Sequence, residues 1–305
     1  MENCKEIKLG EKGYPTKLSK IKHAPKILYY KGNLEILENG PVLAVVGTRH
    51  PTSYGRQALN YLLPQVVKNG VTIVSGLARG IDILSHKITL ELEGKAVAVL
   101  AGGLDKIYPG EHKNFAQKMV QEGGAIVSEH KLGTQYLKQH FPSRNRIISG
   151  VSDAVLLVEA KEKSGALITA RFAFEQERKV LSVPGSIFSA ESEGTNRILG
   201  EKAIPILHGS DLLEQLFCRF QRRKTKILKV EKQKKAFPLL EKNLSAKERE
   251  IMELISFGSE ITIGEIIKKS GKTAQEVMSM VSRLEIEELV EDVGGGKYVR
   301  KQILF

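Results

Sequence analysis

The sequence predicts an α/β protein: a three-layer parallel sheet with helices on both faces, followed by a small winged-helix domain. Seven short apolar runs recur between residues 42 and 207, and most are separated by about 10 to 20 residues of helical pattern. The runs are almost continuously apolar, which is typical of strands buried on both faces. Residues 244–305 then contain three helical patterns and a β-hairpin, the composition of a winged helix.

The chain begins with a polar lead-in, residues 1–40, which ends in the turn "ENGP". The α/β domain is predicted over residues 41–218 because the regular pattern starts at Val42. Its predicted strands are residues 42–46, 71–74, 96–100, 125–127, 154–158, 180–183 and 204–207.

The C-terminal domain has recognisable helix starts. Ser245 is placed to N-cap a helix to about residue 256, residues 263–269 form a short second helix, and Thr273 N-caps a third to about Glu288. "LVEDVGGGKYVR" predicts two strands around a glycine turn. The third helix carries one arginine and four glutamates, which repel phosphate, so we expect this domain to contact protein rather than duplex DNA.

The net charge of +12 over 305 residues favours an anionic partner, nucleic acid before a membrane surface. The plainer alternative is that the lysines only keep the protein in solution. Residues 219–243 hold 10 Lys and Arg against 2 Asp and Glu, whereas residues 244–305 hold 9 against 11. The first segment lacks periodicity and is predicted to be a basic linker with non-specific attraction to phosphates.

Targeting and redox signals are lacking in the sequence. Its apolar runs are far shorter than the roughly 20 residues of a membrane helix, and the N-terminus has no apolar signal segment. The two cysteines, Cys4 and Cys218, have no metal or redox spacing. We therefore expect a cytoplasmic protein without membrane insertion and without a cofactor.

The loops that follow the predicted strands are rich in glycine, hydroxyls and cations. Ligands bind at the carboxyl ends of parallel strands, where glycines allow close approach and helix starts suit anions. Gly47, Gly76 and Gly103 equally fit the tight turns that any α/β fold needs. Arg49 and Arg79 lie in the turns themselves, where a cation faces the cleft. The loops are "GTRHPTSYG", "SGLARGID", "AGGLDKIYPG", "SEHKLGTQYLKQHFPSRNR", "EAKEKSGALITA" and "VPGS".

Several enzyme signatures are missing from the sequence: a Walker A loop, the G-x-G-x-x-G spacing of dinucleotide sites, HExxH, and a G-x-S-x-G elbow. Glu129 and Glu159 follow strands and have the chemistry of an acid or base. They have no evident nucleophile beside them, so the sequence predicts a binding cleft without an obvious reaction.

"KQHFPSRNRIISG", residues 138–150, combines Lys138, Phe141, Arg144 and Arg146 with His140. It fits either a surface turn with a core phenylalanine or a ring that stacks on a base beside cations. With the helix starting at Pro142, the two arginines lie about 200° apart around its axis, so only one is expected to face the cleft. Lys138 and Phe141 then precede the helix.

These segments in this order closely resemble the DNA-processing protein A (DprA/Smf) family. The resemblance rests on "VVGTR", "SGLARGID", "AVLAGGLDKIYP", "GGAIVSEH", "FPSRNRIISGVSDAVLLVEA", "SGALITA" and "VPGS", and it covers about residues 14–217. The lead-in "YPTKLSKIKHAPKILYYKGN" and the winged helix also resemble the family. Many members carry a sterile-alpha-motif-like domain before this segment, and because only 13 residues precede Tyr14 here, we expect that domain to be missing.

The resemblance implies a Rossmann-like core that binds single-stranded DNA, loads the RecA recombinase during natural transformation, and forms homodimers without catalysis. The implied strand-binding residues are Gly47, Thr48, Arg49, Gly76, Arg79, Gly102, Gly103, Lys138, Phe141, Arg144, Arg146, Ser164 and Gly165. Elementary chemistry agrees, since sequence-tolerant binding of single strands needs a cationic groove and an aromatic platform.

Two other functions remain open from the sequence. The glycine-rich edge with Glu129 and Glu159 also fits a nucleotide phosphoribohydrolase, although the "PGGxGTxxE" segment of those enzymes is not found. A duplex-binding regulator that uses the winged helix is disfavoured by the acidity of its third helix.

Overall fold

The computed structural model describes residues 4–217, 244–255, 260–287 and 289–300. The chain divides into two compact units, residues 1–225 and 226–305. The predicted basic linker, residues 219–243, lies outside the described residues, and the three boundaries between the four predicted segments stay predictions.

Nine strands form the sheet of the first unit. They are β1 (Lys5–Lys8), β2 (Ile27–Gly32), β3 (Val42–Val46), β4 (Thr72–Ser75), β5 (Ala96–Val99), β6 (Ala125–Ser128), β7 (Ala154–Leu157), β8 (Lys179–Ser182) and β9 (Ile204–Pro205). Their order across the sheet is β1-β2-β6-β5-β4-β3-β7-β8-β9. The seven predicted strands, β3 to β9, are confirmed and pair in parallel.

The sequence analysis missed β1 and β2, which it assigned to a polar lead-in. β1 pairs antiparallel with β2, and β2 pairs antiparallel with β6, so residues 1–40 extend the sheet. β1 has a single buried side chain, Ile7, in the pattern of an edge strand that is mostly open to solvent. A strand with so few buried apolar residues is not recognisable from its composition.

Eight helices accompany this sheet: α1 (Thr16–Ser19), α2 (Ser53–Lys68), α3 (Ile81–Glu91), α4 (Lys113–Gln121), α5 (His140–Gly150), α6 (Gly165–Glu175), α7 (Glu193–Glu201) and α8 (Gly209–Phe217). Successive side chains of β3 project from opposite faces of the sheet. Val42, Ala44 and Val46 pack with α5 and α6, whereas Leu43 and Val45 pack with α2 and α8. The fold is thus the predicted three-layer arrangement with a doubly buried sheet.

The parallel strands end at one edge of the sheet, which we call the carboxyl edge. The loops 47–52, 76–80, 100–112, 129–139, 158–164 and 183–192 leave the sheet there. Because strand order differs from chain order, the loop after β3 lies between those after β4 and β7. Residues distant in sequence therefore meet at this edge.

The second unit contains α9 (Ala246–Leu254), β10 (Ile261–Thr262), α10 (Ile263–Ser270), α11 (Ala274–Ile286), β11 (Val290–Asp292) and β12 (Lys297–Arg300). Ser245 and Thr273 close capping boxes at the starts of α9 and α11, as their positions predict. The strands form an antiparallel sheet in the order β10-β12-β11. Three helices with this small sheet confirm the winged helix.

Candidate nucleic-acid interface

Three aromatic rings gather at the carboxyl edge. Phe141 from α5 lies 5.8 Å, centroid to centroid, from Tyr108, and 6.3 Å from Tyr136. The two tyrosine rings are 5.4 Å apart. Tyr108 is 51% exposed, whereas burial raises the pKa of Tyr136 to about 12 and keeps that phenol neutral. The Tyr108 ring is thus accessible to a ligand, and it packs against the Tyr136 and Phe141 rings.

Cations lie beside this aromatic cluster. The guanidinium carbon of Arg49 lies 5.8 Å from the Phe141 ring centroid, a cation–π distance. Arg49 and Lys138 are both exposed. Helix α5 begins at His140, so Phe141 occupies its first turn instead of preceding it as predicted. Pro142 is tolerated there because the first-turn N–H groups have no helical partner.

Arg144 points into the protein. It is 6% exposed, and its guanidinium donates to the carbonyl of Gly76 at 2.8 Å and also to that of Val99. Gly76 makes room for it, since a Cβ there would lie 2.4 Å from the guanidinium. Asp82 lies nearby and accepts the backbone N–H of Gly76 at 3.1 Å. Arg144 therefore joins the ends of β4 and β5 to α5.

The charged side chains of Asp82 and Arg144 are buried next to each other. Burial raises the pKa of Asp82, and the neighbouring Arg144 opposes that rise. Burial likewise lowers the pKa of Arg144, while Asp82 raises it. Each group thus stabilises the charged form of the other, and loss of either leaves its partner uncompensated.

Arg146 is also held by the protein. It donates to the Glu129 carboxylate at 2.5 Å, and both side chains are largely buried. Gln176 donates to the carbonyl of Arg146 at 3.0 Å. The expectation that one of the two arginines faces the cleft therefore differs from the structure, in which Arg144 and Arg146 both have protein partners. The difference arises because α5 packs against both the sheet and α6, so that side chains on two sides of the helix meet other parts of the protein.

Arg79 is exposed in the loop that leads into α3, as its place in a turn predicts. Its guanidinium makes a two-bond ion pair with Glu111, at 2.9 and 2.8 Å. Glu111 lies three residues after Tyr108, so this pair ties the loop after β4 to the loop that carries an aromatic ring. The positive charge of Arg79 is thereby partly neutralised at the surface.

Three of the predicted glycines make room for other parts of the protein. A Cβ at Gly47 would lie 2.6 Å from Ile81, and one at Gly102 would lie 2.8 Å from the Tyr136 ring. Gly103 approaches the loop after β6, since its N–H donates to the Thr134 carbonyl at 3.0 Å. These contacts support the interpretation of these glycines as residues of tight turns.

Thr48, Ser164 and Gly165 complete the set of predicted residues. The Thr48 N–H donates to the Glu159 carbonyl at 2.7 Å, and its hydroxyl accepts the N–H of His50 at 3.2 Å. Ser164 N-caps α6 by accepting the Ala166 N–H at 3.3 Å. Gly165 is exposed, and a Cβ there would meet only open space. The structure thus places these three beside the β3 and β7 ends. Arg49 and Lys138 are exposed, and Phe141 is half-buried.

The two glutamates considered for acid–base chemistry have structural partners. Glu159 is buried and accepts from the Thr52 N–H at 2.9 Å and the Thr52 hydroxyl at 2.5 Å. It thereby fixes the start of α2. Glu129 is the partner of Arg146. Neither has the free, exposed carboxylate that a general base presents to substrate.

Tyr108 and Tyr136 are functional candidates that the sequence analysis missed. Both lie in loops that it had placed at the carboxyl edge, and a search for every aromatic residue in those loops would have found them. The loop lengths alone do not show that the rings meet, since that depends on the adjacent places of β5 and β6 in the sheet.

The winged helix has an acidic third helix in the structure, as predicted. The arginine of α11, Arg283, lies 3.2 Å from Glu248 and 3.8 Å from Glu287. Its charge is thus opposed by two carboxylates, and nearby Glu285 adds to the acidity. This arrangement supports the expectation that α11 does not enter a DNA groove.

Metal and membrane features were also sought in the described part of the chain. No three His, Cys, Asp or Glu residues are grouped there to hold a metal ion. None of its helices is both long enough and apolar enough to cross a membrane.

The fold and site define a Rossmann-like protein with a cluster of aromatic and cationic side chains at the carboxyl edge, joined to a winged-helix domain. Residues 5–217 match the family model described as DNA recombination-mediator protein A, and residues 235–296 match the DprA winged helix domain. The chain therefore belongs to the DprA/Smf family, as the resemblance of its motifs predicted.

Similar proteins from several bacteria carry the names of the same family. The chain is 36% identical to Protein Smf of Escherichia coli over 94% of this chain and 75% of that protein. It is 42% identical to DNA processing protein DprA of Bacillus subtilis over 69% of this chain and 70% of that protein.

Two solved structures are also similar. DprA of Streptococcus pneumoniae matches with a TM-score of 0.66 and 39% identity, over 70% of this chain and 74% of that one. DNA processing protein A of Helicobacter pylori, whose structure concerns its single-stranded DNA binding mode, matches with a TM-score of 0.63 and 30% identity, over 71% and 98%.

Proposed function

We propose that this protein binds single-stranded DNA at the carboxyl edge without strong sequence preference. The observation that carries the proposal is the half-buried ring of Phe141 beside the exposed ring of Tyr108, together with the exposed cations Arg49 and Lys138. A ring can stack on any base, and cations can follow the phosphates, so such a group tolerates sequence. The Helicobacter pylori relative, which has a single-stranded DNA binding mode, supports the same conclusion.

We assign different roles to the predicted residues. Phe141 stacks on a base, while Arg49 and Lys138 pair with phosphates. Arg144 and Arg146 position α5, because their guanidinium groups already have protein acceptors. Arg79 reaches phosphate by exchanging Glu111 for it. The residues that shape the remaining loops are Gly47, Thr48, Gly76, Gly102, Gly103, Ser164 and Gly165.

The proposed biological role is to receive single strands in the cytoplasm during natural transformation and to load RecA on them. Membership in the DprA/Smf family supports this role. We further propose that the protein acts as a homodimer through its first unit and that it catalyses no reaction. RecA filament formation on coated single strands, followed with and without the protein, tests the loading step, and sedimentation equilibrium tests the dimer.

An electrophoretic mobility shift with single- and double-stranded oligonucleotides of equal length tests the binding. We expect preference for the single strand and weaker binding by Phe141→Ala, since stacking contributes about 1–3 kcal/mol per base. Phe141→Trp should retain the affinity. Lys87→Ala, which removes an exposed lysine on α3, serves as the control for Lys138→Ala. Equal affinity for both forms of DNA, or full affinity of Phe141→Ala, would contradict the proposal.

The nucleotide phosphoribohydrolase alternative is disfavoured by the positions of Glu129 and Glu159. Both carboxylates have hydrogen-bond partners within the protein, and Glu159 is buried. Release of a free base from nucleoside monophosphates would support that alternative instead.

A further inference from the structure

The loop after β8 presents two apolar side chains to solvent. Ile187 is 81% exposed and Phe188 is 94% exposed, which makes Phe188 the most exposed large hydrophobic side chain in the described part of the chain. Adjacent exposed apolar residues of this size are unfavourable in water and commonly mark a binding surface.

This loop is held in place by hydrogen bonds. The Phe188 N–H donates to the Ser186 hydroxyl at 3.2 Å, and the Ser189 N–H donates to the Ser186 carbonyl at 3.1 Å. Gly185 exchanges two hydrogen bonds with the Asn196 amide, at 3.1 and 3.0 Å. The loop is therefore a defined turn that directs Phe188 outward.

The loop is continuous with the proposed DNA site. The Tyr54 hydroxyl donates to the Pro184 carbonyl, and Tyr54 is the second residue of α2, just beyond the loop that carries Arg49. Tyr54 is itself 36% exposed. An aromatic side chain thus lies between the Arg49 loop and the loop that carries Phe188.

The strand order places the two loops near each other at the carboxyl edge. Phe141 lies 5.8 Å from Arg49 of the loop after β3, and β3 is two strand intervals from β8, whose loop carries Phe188. At about 4.8 Å per interval, the ends of β3 and β8 are about 10 Å apart. A stacked strand that rises about 3.4 Å per nucleotide covers this separation with about three nucleotides. The path therefore fits within the roughly 4–16 nucleotides typical of a single-strand-binding fold.

We propose that Phe188 is a second base-stacking platform, and that a single strand bound at Phe141 continues along the carboxyl edge past Tyr54 to Phe188. This proposal rests on the proposed function and adds the path and extent of the strand. Residues 183–190 contain no charged side chain. Phe188 therefore contributes by stacking alone, and its contribution differs from that of Arg49 and Lys138 in being insensitive to salt.

The first test uses an oligothymidine of about 20 nucleotides, longer than the site of one fold. We expect Phe188→Ala to weaken its binding at least about fivefold, because stacking contributes about 1 kcal/mol or more per base. The slope of log affinity against log salt should stay unchanged, since no phosphate contact is removed. Phe188→Tyr should restore most of the affinity. Because Phe188 is exposed, the unfolding midpoint of each variant should match that of the original protein.

The second test uses fluorescence. The chain contains no tryptophan, so Phe188→Trp introduces a single indole reporter. Its emission should change saturably when the oligothymidine is added. Gln121→Trp, at the exposed end of α4 on the opposite edge of the sheet, is the matched control and should not respond.

The outcomes separate this proposal from the proposed function. If the original protein binds the strand but Phe188→Ala binds equally well, or the Phe188→Trp emission stays constant, the second platform is wrong and the exposed pair serves another partner. If the original protein binds no single strand, both proposals are wrong.

Discussion

Arg144 gives the sharpest test of the assigned roles, because the sequence places it in the DNA site and the structure buries it. Arg144→Met keeps most of the aliphatic stem and removes the guanidinium. The Gly76 and Val99 carbonyls lose their donor, and the buried Asp82 loses the neighbouring positive charge. Removing one member of such a buried charge pair costs about 3–5 kcal/mol. We expect a decrease of that size in the free energy of unfolding.

Urea denaturation followed by circular dichroism measures this decrease. Arg79→Met is the control, because it removes an exposed arginine from the same edge and should leave the unfolding midpoint nearly unchanged. In the Asp82→Asn background, Arg144→Met should be less destabilising by about 0.5–3 kcal/mol, the usual coupling between contacting residues. A decrease below about 1 kcal/mol in the original background would refute the role of Arg144 in joining β4 and β5 to α5.

Three further predictions concern stability and binding. Gly76→Ala should destabilise the protein by about 1–3 kcal/mol, because the new Cβ would lie 2.4 Å from a buried guanidinium, whereas Gly165→Ala, which meets open space, should be tolerated in the same denaturation assay. His86 is buried, and burial lowers its pKa from 6.5 to about 3, so the folded protein keeps it neutral. Its contribution to stability is full above pH 6.5 and is lost as the pH falls toward 3; at pH 4.5 the loss is roughly 3 kcal/mol, and His86→Leu should flatten this part of the stability profile. Arg49→Ala combined with Lys138→Ala should weaken single-strand binding for all sequences and reduce the salt slope by about 1–2 in filter-binding titrations between about 50 and 200 mM salt. An unchanged slope would exclude both residues from contact with phosphates.

The central strands were predictable from the sequence because they are buried on both faces. β3 and β7 are continuous apolar runs, and this pattern depends little on which strands lie beside them. β1 was missed because it is an edge strand whose side chains are mostly exposed and polar, and β2 was missed because it precedes the regular alternation of strands and helices that starts at Val42. Sequence alone gives a strong signal for a strand only where burial demands apolar residues on successive positions.

The location of the proposed binding site was predictable from the sequence, but the roles of its residues were less so. The carboxyl-edge rule placed Arg49, Lys138 and Phe141 correctly at the same edge, since strand ends position the loops. It did not show that Tyr108 and Tyr136 meet Phe141, because that contact depends on the order of strands in the sheet. The burial of Arg144 was equally hidden, since a guanidinium in a loop motif has the same sequence signature whether it faces DNA or a backbone carbonyl.

The glycines of the carboxyl edge illustrate how one sequence signal supports two physical explanations. A glycine at a strand end allows a ligand phosphate to approach the backbone, or it allows a neighbouring side chain to do so. At Gly47, Gly76 and Gly102 the structure fills the space with an isoleucine, a guanidinium and a tyrosine ring. These glycines therefore shape the loops from inside, and most of the contacts proposed for a strand come from side chains, such as the exposed Arg49 and the half-buried Phe141. Because rings and flexible cations accept any base and any phosphate position, this division of roles is itself a physical reason to expect binding with little sequence preference.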